Sequence, residues 1–347
     1  MNFELVAEQA YIEITSYCNR KCPYCYNDSS ENKVTLLDKA TIFSIIDTIS
    51  GKNITISGGE PFTHPDIEEI IDYANKKGVS VHLISNLSTI SIEVLINLIS
   101  KGNTLQVTLD SLEKEKNDKT RGAGSYELTK SFFSELSEDK LKKQIQLRFN
   151  LNKTNLNEIQ NVIDFALNNG LNHLTFAFLV KSGRAIKYPY LFDYEDDLIE
   201  LKNTVILLKK LKQKYKSLIN IVYSSIEEQV GCVFFKNGKI SFSPRIDSEG
   251  NVYLCQLFVD VENSIGNLKN DGLSDILIST KAIDFVRKLR LRKEKNEKCS
   301  DCAFSKGCMC GCPAISYLNT GNIMNISDQC KMIKFFYKEK IKLSYEK

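Results

Sequence analysis

The chain has 347 residues, of which 42% are hydrophobic and 26% charged, and a formal net charge of +3. That balance describes a soluble globular protein of one to three domains and argues against nucleic acid as a partner. No apolar run approaches the ~18 residues of a membrane span and no signal-peptide pattern opens the chain, so a cytoplasmic protein without a membrane partner is expected, whose eleven cysteines serve metal ligation rather than disulfides.

The first element is a strand, Ala10 to Ser16. It runs into TSYCNRKCPYCYN, where Cys18, Cys22 and Cys25 are spaced C-x3-C-x2-C. Three thiolates hold three corners of a [4Fe-4S] cluster and leave the fourth iron open to chemistry. Structural zinc wants four closed ligands, and no fourth Cys or His lies near in sequence. Strand and helix patterns then alternate. Helical spacing covers Leu36 to Ser50, and strands are expected at Asn53–Ser57, Val79–Ser85, Thr104–Ser111, Gln144–Asn150 and His173–Val180. Helices fall between them, stopped at Gly78, Gly102 and Gly170, with one starting near Tyr126. Six such β-α units predict a parallel sheet curled toward a barrel.

The polar features occupy consistent places in this pattern. The cysteine loop follows the first strand, and Gly58-Gly59-Glu60-Pro61 ends the second. Asn86 ends the third, and Thr108 and Asp110 lie toward the end of the fourth. In parallel β/α architectures the carboxyl ends of the strands carry the site. The glycine pair would let the backbone approach a ligand closely, and Glu60 would offer a carboxylate to a cation.

Lys181 to Ala185 closes this region, and Tyr194 to Tyr215 reads as a linking helix. The basic run Arg287–Lys298, interleaved with glutamates, reads as a solvated helix face. Eight further cysteines occupy the last third: Cys232, Cys255, Cys299, Cys302, Cys308, Cys310, Cys312 and Cys330. Soft thiolates in fours suit iron-sulfur clusters or zinc. The expected organisation is a first domain over 1–190, a linking region over 191–224 and a cysteine-rich domain over 225–347.

These motifs resemble the radical S-adenosylmethionine (SAM) enzymes, and the G-x4-C…C-x2-C-x5-C-x3-C…C pattern resembles their SPASM extension. The resemblance implies an α/β fold, a partial (β/α)6 TIM-type barrel followed by a small irregular iron-sulfur domain. It implies that Cys18, Cys22 and Cys25 bind the SAM-cleaving [4Fe-4S] cluster. Tyr24 would lie beside adenine, Gly58, Gly59 and Glu60 at the methionyl amino group, Thr108 at the ribose and Arg121 at the SAM carboxylate, with Asn86 and Leu179 as further contacts. Cys232, Cys255 and Cys312 would hold one auxiliary [4Fe-4S] cluster, and Cys299, Cys302, Cys308 and Cys330 a second. Cys310 stands where the family usually has glycine. Its readings, in order, are a fourth ligand of the first auxiliary cluster, a hydrogen donor, or no role.

The reaction such a chain would perform is maturation of a ribosomally made peptide. The SAM-derived 5'-deoxyadenosyl radical would abstract a hydrogen, giving a thioether, carbon-carbon or ether cross-link or an epimerised residue. An anaerobic sulfatase-maturating enzyme is the alternative. Gln256 stands where those enzymes carry an aspartate base, and an amide takes no proton at neutral pH, although Asp260 is near. A non-catalytic iron-sulfur or zinc scaffold is the alternative of another class. Expected partners are the precursor peptide and a flavodoxin- or ferredoxin-type electron donor; since Cys18 lies so near the N-terminus, leader recognition is expected to be direct or supplied by a separate peptide-recognition protein.

Overall fold

A computed structural model describes residues 3–223, 232–308 and 310–345. The strands are β1 (Phe3–Ala7), β2 (Ala10–Glu13), β3 (Asn53–Ser57), β4 (Ser80–Ile84), β5 (Thr104–Leu109), β6 (Ile145–Leu151), β7 (His173–Phe178), β8 (Asn220–Tyr223), β9 (Gly238–Phe242), β10 (Arg245–Ile246), β11 (Asn251–Tyr253) and β12 (Gly266–Asn267). From β2 to β8 the strands lie side by side in chain order, each parallel to the next. The fold is α/β with a central, mostly parallel sheet, and among the described residues the sheet does not close into a barrel.

The β-α-β order follows from local chemistry. The helix Lys39–Thr48 is capped by Asp38, whose side chain accepts from the Thr41 N–H, and it buries Ile42, Ile45 and Ile46. Ile67–Lys76 buries Ile67, Ile70, Ile71 and Ala74 at helical spacing. Ile92–Ser100 is capped by Ser91 and buries Leu95, Leu98 and Ile99. β5 and β6 alternate: Leu105, Val107 and Leu109, and Ile145, Leu147, Phe149 and Leu151, are buried on one face, while Gln106, Thr108, Arg148 and Asn150 take the other.

Three features depart from the sequence expectation. The expected linking helix forms at Leu198–Tyr215, but it continues the sheet: β8 after it pairs with β7 in parallel. A helix, Lys114–Arg121, precedes Ser125–Glu135; its sequence KEKNDKTR buries only Asn117, so no apolar stripe announced it. At the other edge β10 pairs in parallel with β2 and carries the antiparallel β11 and β12, while β1 pairs with β9 as a separate two-stranded ribbon. The cysteine-rich region is thereby joined to the first strand by backbone hydrogen bonds. No helix among the described residues is long and apolar enough to cross a membrane.

Candidate active site

The loop between β2 and the helix Lys39–Thr48 is closed at its base by an isolated bridge between Thr15 and Leu36. Ser16 N–H donates to Thr35 O at 3.0 Å and Leu37 N–H to Ile14 O at 3.0 Å. Cys18, Cys22 and Cys25 project from this loop. Two N–H groups address the first thiol: Arg20 N at 3.4 Å and Asn86 Nδ2 at 3.7 Å from Cys18 Sγ. Burial pushes the Cys18 thiol up to about 11 and also raises Cys22. Both are therefore protonated until a metal displaces the proton.

The glycine pair has a steric reason that the sequence did not disclose. A Cβ on Gly58 would collide with the Thr15 carbonyl, and one on Gly59 with the Tyr17 carbonyl. Gly59 N–H donates to Thr15 O at 2.7 Å and Glu60 N–H to Tyr17 O at 2.8 Å. The approach these glycines permit is between the end of β3 and the cysteine loop itself. Glu60 is fully buried. Its carboxylate accepts from Ser85 Oγ (2.8 Å), Asn86 N (2.7 Å) and Phe62 N (3.3 Å). Burial raises its pKa to about 7. In this arrangement Glu60 fixes the end of β4, and Asn86 in turn contacts Cys18 and Asn19 (3.1 Å).

Asp110, just past β5, organises the opposite wall. The Tyr24 hydroxyl donates to Asp110 Oδ2, which also accepts from Thr120 Oγ1 at 2.8 Å, while Oδ1 accepts from Asn150 Nδ2 at 3.0 Å. Arg121 donates to the Tyr24 oxygen at 3.0 Å. Burial works against the Arg121 charge, but Tyr24, Cys22 and Asp110 outweigh it and hold its pKa above the ordinary value. Arg121 is thus a fixed cation beside Cys22. Thr108, two residues before Asp110 on β5, is buried and pairs in register with Arg148. Leu179 and Cys22 pack against a small apolar cluster of Tyr24, Ala185, Tyr188 and Leu191.

Residues 182–184 clasp the loop from the far side. Arg184 donates to Cys22 O (Nε, 3.0 Å), to Ser29 O (2.7 Å) and to Asp28 (3.0 Å), and its own N–H meets Cys25 O at 3.0 Å. Gly183, at φ +55°, lies so close to the carbonyls of Cys25 and Tyr26 that no side chain fits. No sequence motif announces Arg184 or the buried ion pair of Glu13 with Arg245, which meet at 2.6 Å. A carboxylate ending the buried run AYIE was the available signal, because such a charge needs a partner.

The last third brings its cysteines into two groups. Cys299, Cys302, Cys308, Cys310 and Cys330 line one cavity. Cys255 feels the charges of Cys312 and Cys232, and burial pushes its thiol up to about 12. Cys310, at φ +67°, stands with the first of these groups, where burial and its neighbour Cys299 push its thiol up to about 12. Its first expected role, a ligand alongside Cys232, Cys255 and Cys312, belongs to the other group. Gln256 and Asp260 are both exposed.

The donor sets suit iron-sulfur clusters. Among the described residues no three Cys, His, Asp or Glu side chains are gathered for a single ion. Five cysteines lining one cavity are an all-sulfur donor set of the kind that holds such a cluster.

Comparison with known proteins agrees with this chemistry. The Radical SAM superfamily profile matches residues 12–166, and the iron-sulfur cluster-binding domain SPASM matches residues 239–303. The chain is 26% identical over 343 residues to the AdoMet-dependent heme synthase of Methanosarcina barkeri, covering 92% of this chain and 94% of that one. It is 25% identical over 286 residues to the antilisterial bacteriocin subtilosin biosynthesis protein AlbA of Bacillus subtilis, covering 78% and 59%. Streptococcus suis SuiB bound to precursor peptide SuiA superposes with a TM-score of 0.73 at 17% identity, covering 92% of this chain and 75% of SuiB.

Proposed function

We propose that this chain, which belongs to the radical SAM enzymes and carries a C-terminal SPASM domain, matures a ribosomally made peptide, forming a cross-link or an epimerised residue. SAM and [4Fe-4S] clusters are its cofactors; bound at the cysteine loop, the cluster supplies the electron that cleaves SAM. Cys18, Cys22 and Cys25 hold that cluster, with Asn86 and the Arg20 N–H directed at the Cys18 sulfur. Tyr24, Gly58, Gly59, Thr108, Asn86 and Leu179 surround SAM, Glu60 orders the Asn86 side of the site, and Arg121 offers its charge to the SAM carboxylate. Cys232, Cys255 and Cys312 hold one auxiliary cluster, and Cys299, Cys302, Cys308 and Cys330 another. A flavodoxin- or ferredoxin-type protein delivers the electron.

The observation that carries the peptide reading is an open groove. Ser182, Gly183, Ile186, Val259, Asp260 and Tyr317 line about 260 Å³ of free space. On one side Gly183 backs onto the carbonyls of Cys25 and Tyr26. On the other, Tyr317 belongs to the helix Pro313–Thr320, whose N-cap is Cys312. Ile186, in its lining, is 65% exposed. An extended apolar chain laid here would run between the cysteine loop and the second metal-binding region. AlbA and the SuiA complex of SuiB favour a peptide occupant.

The near full-length likeness to a heme synthase favours a second reading, chemistry on a heme precursor. Reduced, reconstituted protein is given SAM with either the peptide encoded beside its gene or an iron porphyrin carboxylate. A mass change in the peptide together with 5'-deoxyadenosine supports the first reading. Turnover of the porphyrin alone overturns it.

A further inference from the structure

Arg292 lies in the basic run that reads as a solvated helix face, yet it is fully buried, at 0% exposure. Its guanidinium is almost wholly committed. Nη1 donates to Gly311 O (2.8 Å); Nη2 donates to Cys310 O (3.2 Å), Ser316 Oγ (2.7 Å) and Asn325 O (2.8 Å). The Nε–H is buried without a partner. Burial works against the guanidinium charge and lowers its pKa; the groups that oppose this are Cys310, Cys312, Cys232 and Cys299, members of both cysteine groups. A buried cation held by neutral carbonyls and a hydroxyl is costly unless negative charge lies near. Thiolate-ligated clusters provide it, and a free N–H beside them is a donor for sulfur.

We propose that Arg292 is a positioning residue shared by the two auxiliary iron-sulfur centres: it anchors the Cys310–Cys312 turn through its carbonyls and raises the reduction potential of both centres. Gaining one electron adds one negative charge to a cluster, and a fixed cation stabilises that reduced form. Hydrogen bonds to the sulfurs and net charge are the levers that set such potentials. One side chain facing both cysteine groups holds the two potentials in step, so an electron leaving the substrate meets acceptors of matched affinity. This inference rests on the cluster assignment, not on the identity of the substrate.

Anaerobic, reconstituted full-length protein is titrated with dithionite and followed by electron paramagnetic resonance, as wild type, Arg292→Lys and Arg292→Gln. In Arg292→Gln both auxiliary couples become harder to reduce by on the order of tenfold, about 59 mV for a one-electron couple, while the SAM-binding cluster does not move. Arg292→Lys, which keeps the charge, restores most of the shift. Because Arg292→Gln removes an internal brace and can lose its clusters, wild type labelled with 15N-arginine gives a second reading. Nitrogen coupling to a reduced auxiliary cluster is expected, and it disappears in Arg292→Lys. Unmoved potentials in an iron-replete Arg292→Gln, or no 15N coupling in wild type, overturn the role of Arg292. Wild type with iron for one cluster only overturns the auxiliary-cluster assignment, and the inference with it.

Discussion

Glu13 and Arg245 form a bidentate pair at 2.8 and 2.6 Å across β2 and β10, 232 residues apart in sequence and both 1% exposed. The same carboxylate accepts from Tyr26 (2.6 Å) and Asn27 (3.1 Å), which follow Cys25 directly. Arg245 also donates to Phe258 O at 3.1 Å, just past Cys255, and stacks on Tyr253. One buried pair thus ties the end of the SAM-cluster loop to the start of the auxiliary-cluster region.

Breaking that pair leaves a buried charge alone, a loss of about 3–5 kcal/mol. Glu13→Gln and Arg245→Met each shift the urea unfolding midpoint accordingly, and each reduces iron retained at the cysteine loop. The double variant loses less stability than the sum of the two. Strict additivity in urea melts would show that the two side chains are not coupled.

Gly59→Ala places a Cβ into the Tyr17 carbonyl and separates β3 from the cysteine loop. Iron analysis and 5'-deoxyadenosine assays then show loss of the SAM-binding cluster and of SAM cleavage. Gly78→Ala meets open space and bears only its φ of +73°, so it costs about 1–2 kcal/mol and keeps full cleavage activity per folded protein.

Cys310 lines a cavity that already has four other cysteines. Cys308→Ala therefore lowers the iron content by about four per chain, whereas Cys310→Ala leaves it unchanged. Equal iron loss in the two variants would make Cys310 a ligand.

His82 on β4 hydrogen-bonds Thr104 at 2.8 Å, and burial, with a lesser contribution from His173, lowers its pKa to about 4. Its folded value lies below the unfolded one near 6.5. As pH falls from 6.5 toward 4 the unfolded chain takes up the proton first, and stability is lost on acidification. Replacing it by glutamine removes that term. The stability gap between wild type and His82→Gln, measured by urea melts, is expected to narrow from pH 7 to pH 5. A constant gap would sink the assignment.

Much of the fold was legible because its determinants are local. The helix from Lys39 is announced by Asp38 and an apolar stripe, and the strands by short β-branched segments in which apolar residues alternate with polar ones. The helix Lys114–Arg121 was not, since its one buried residue is a polar Asn117 that donates to Ser125 and accepts from the Asp110 N–H. β8 and β10 are four and two residues long, too short for a period to show.

At the site, the chain by itself determined the kind of chemistry. Thiol spacing and a glycine-rich strand end are set by what an iron-sulfur cluster and a tight backbone approach need, and both can be read within a few residues. Which groups stand together was decided only in three dimensions. Glu60 turned inward to hold β4, Arg184 and Gly183 reached back to clasp the cysteine loop, Cys310 joined the Cys299 group, and Arg292 left an apparently wet helix face to hold the carbonyls of Cys310 and Gly311. Each of these is a buried polar or close-packed contact between distant segments. Its energy depends on a partner being present to offset desolvation, and no local pattern in the chain names that partner.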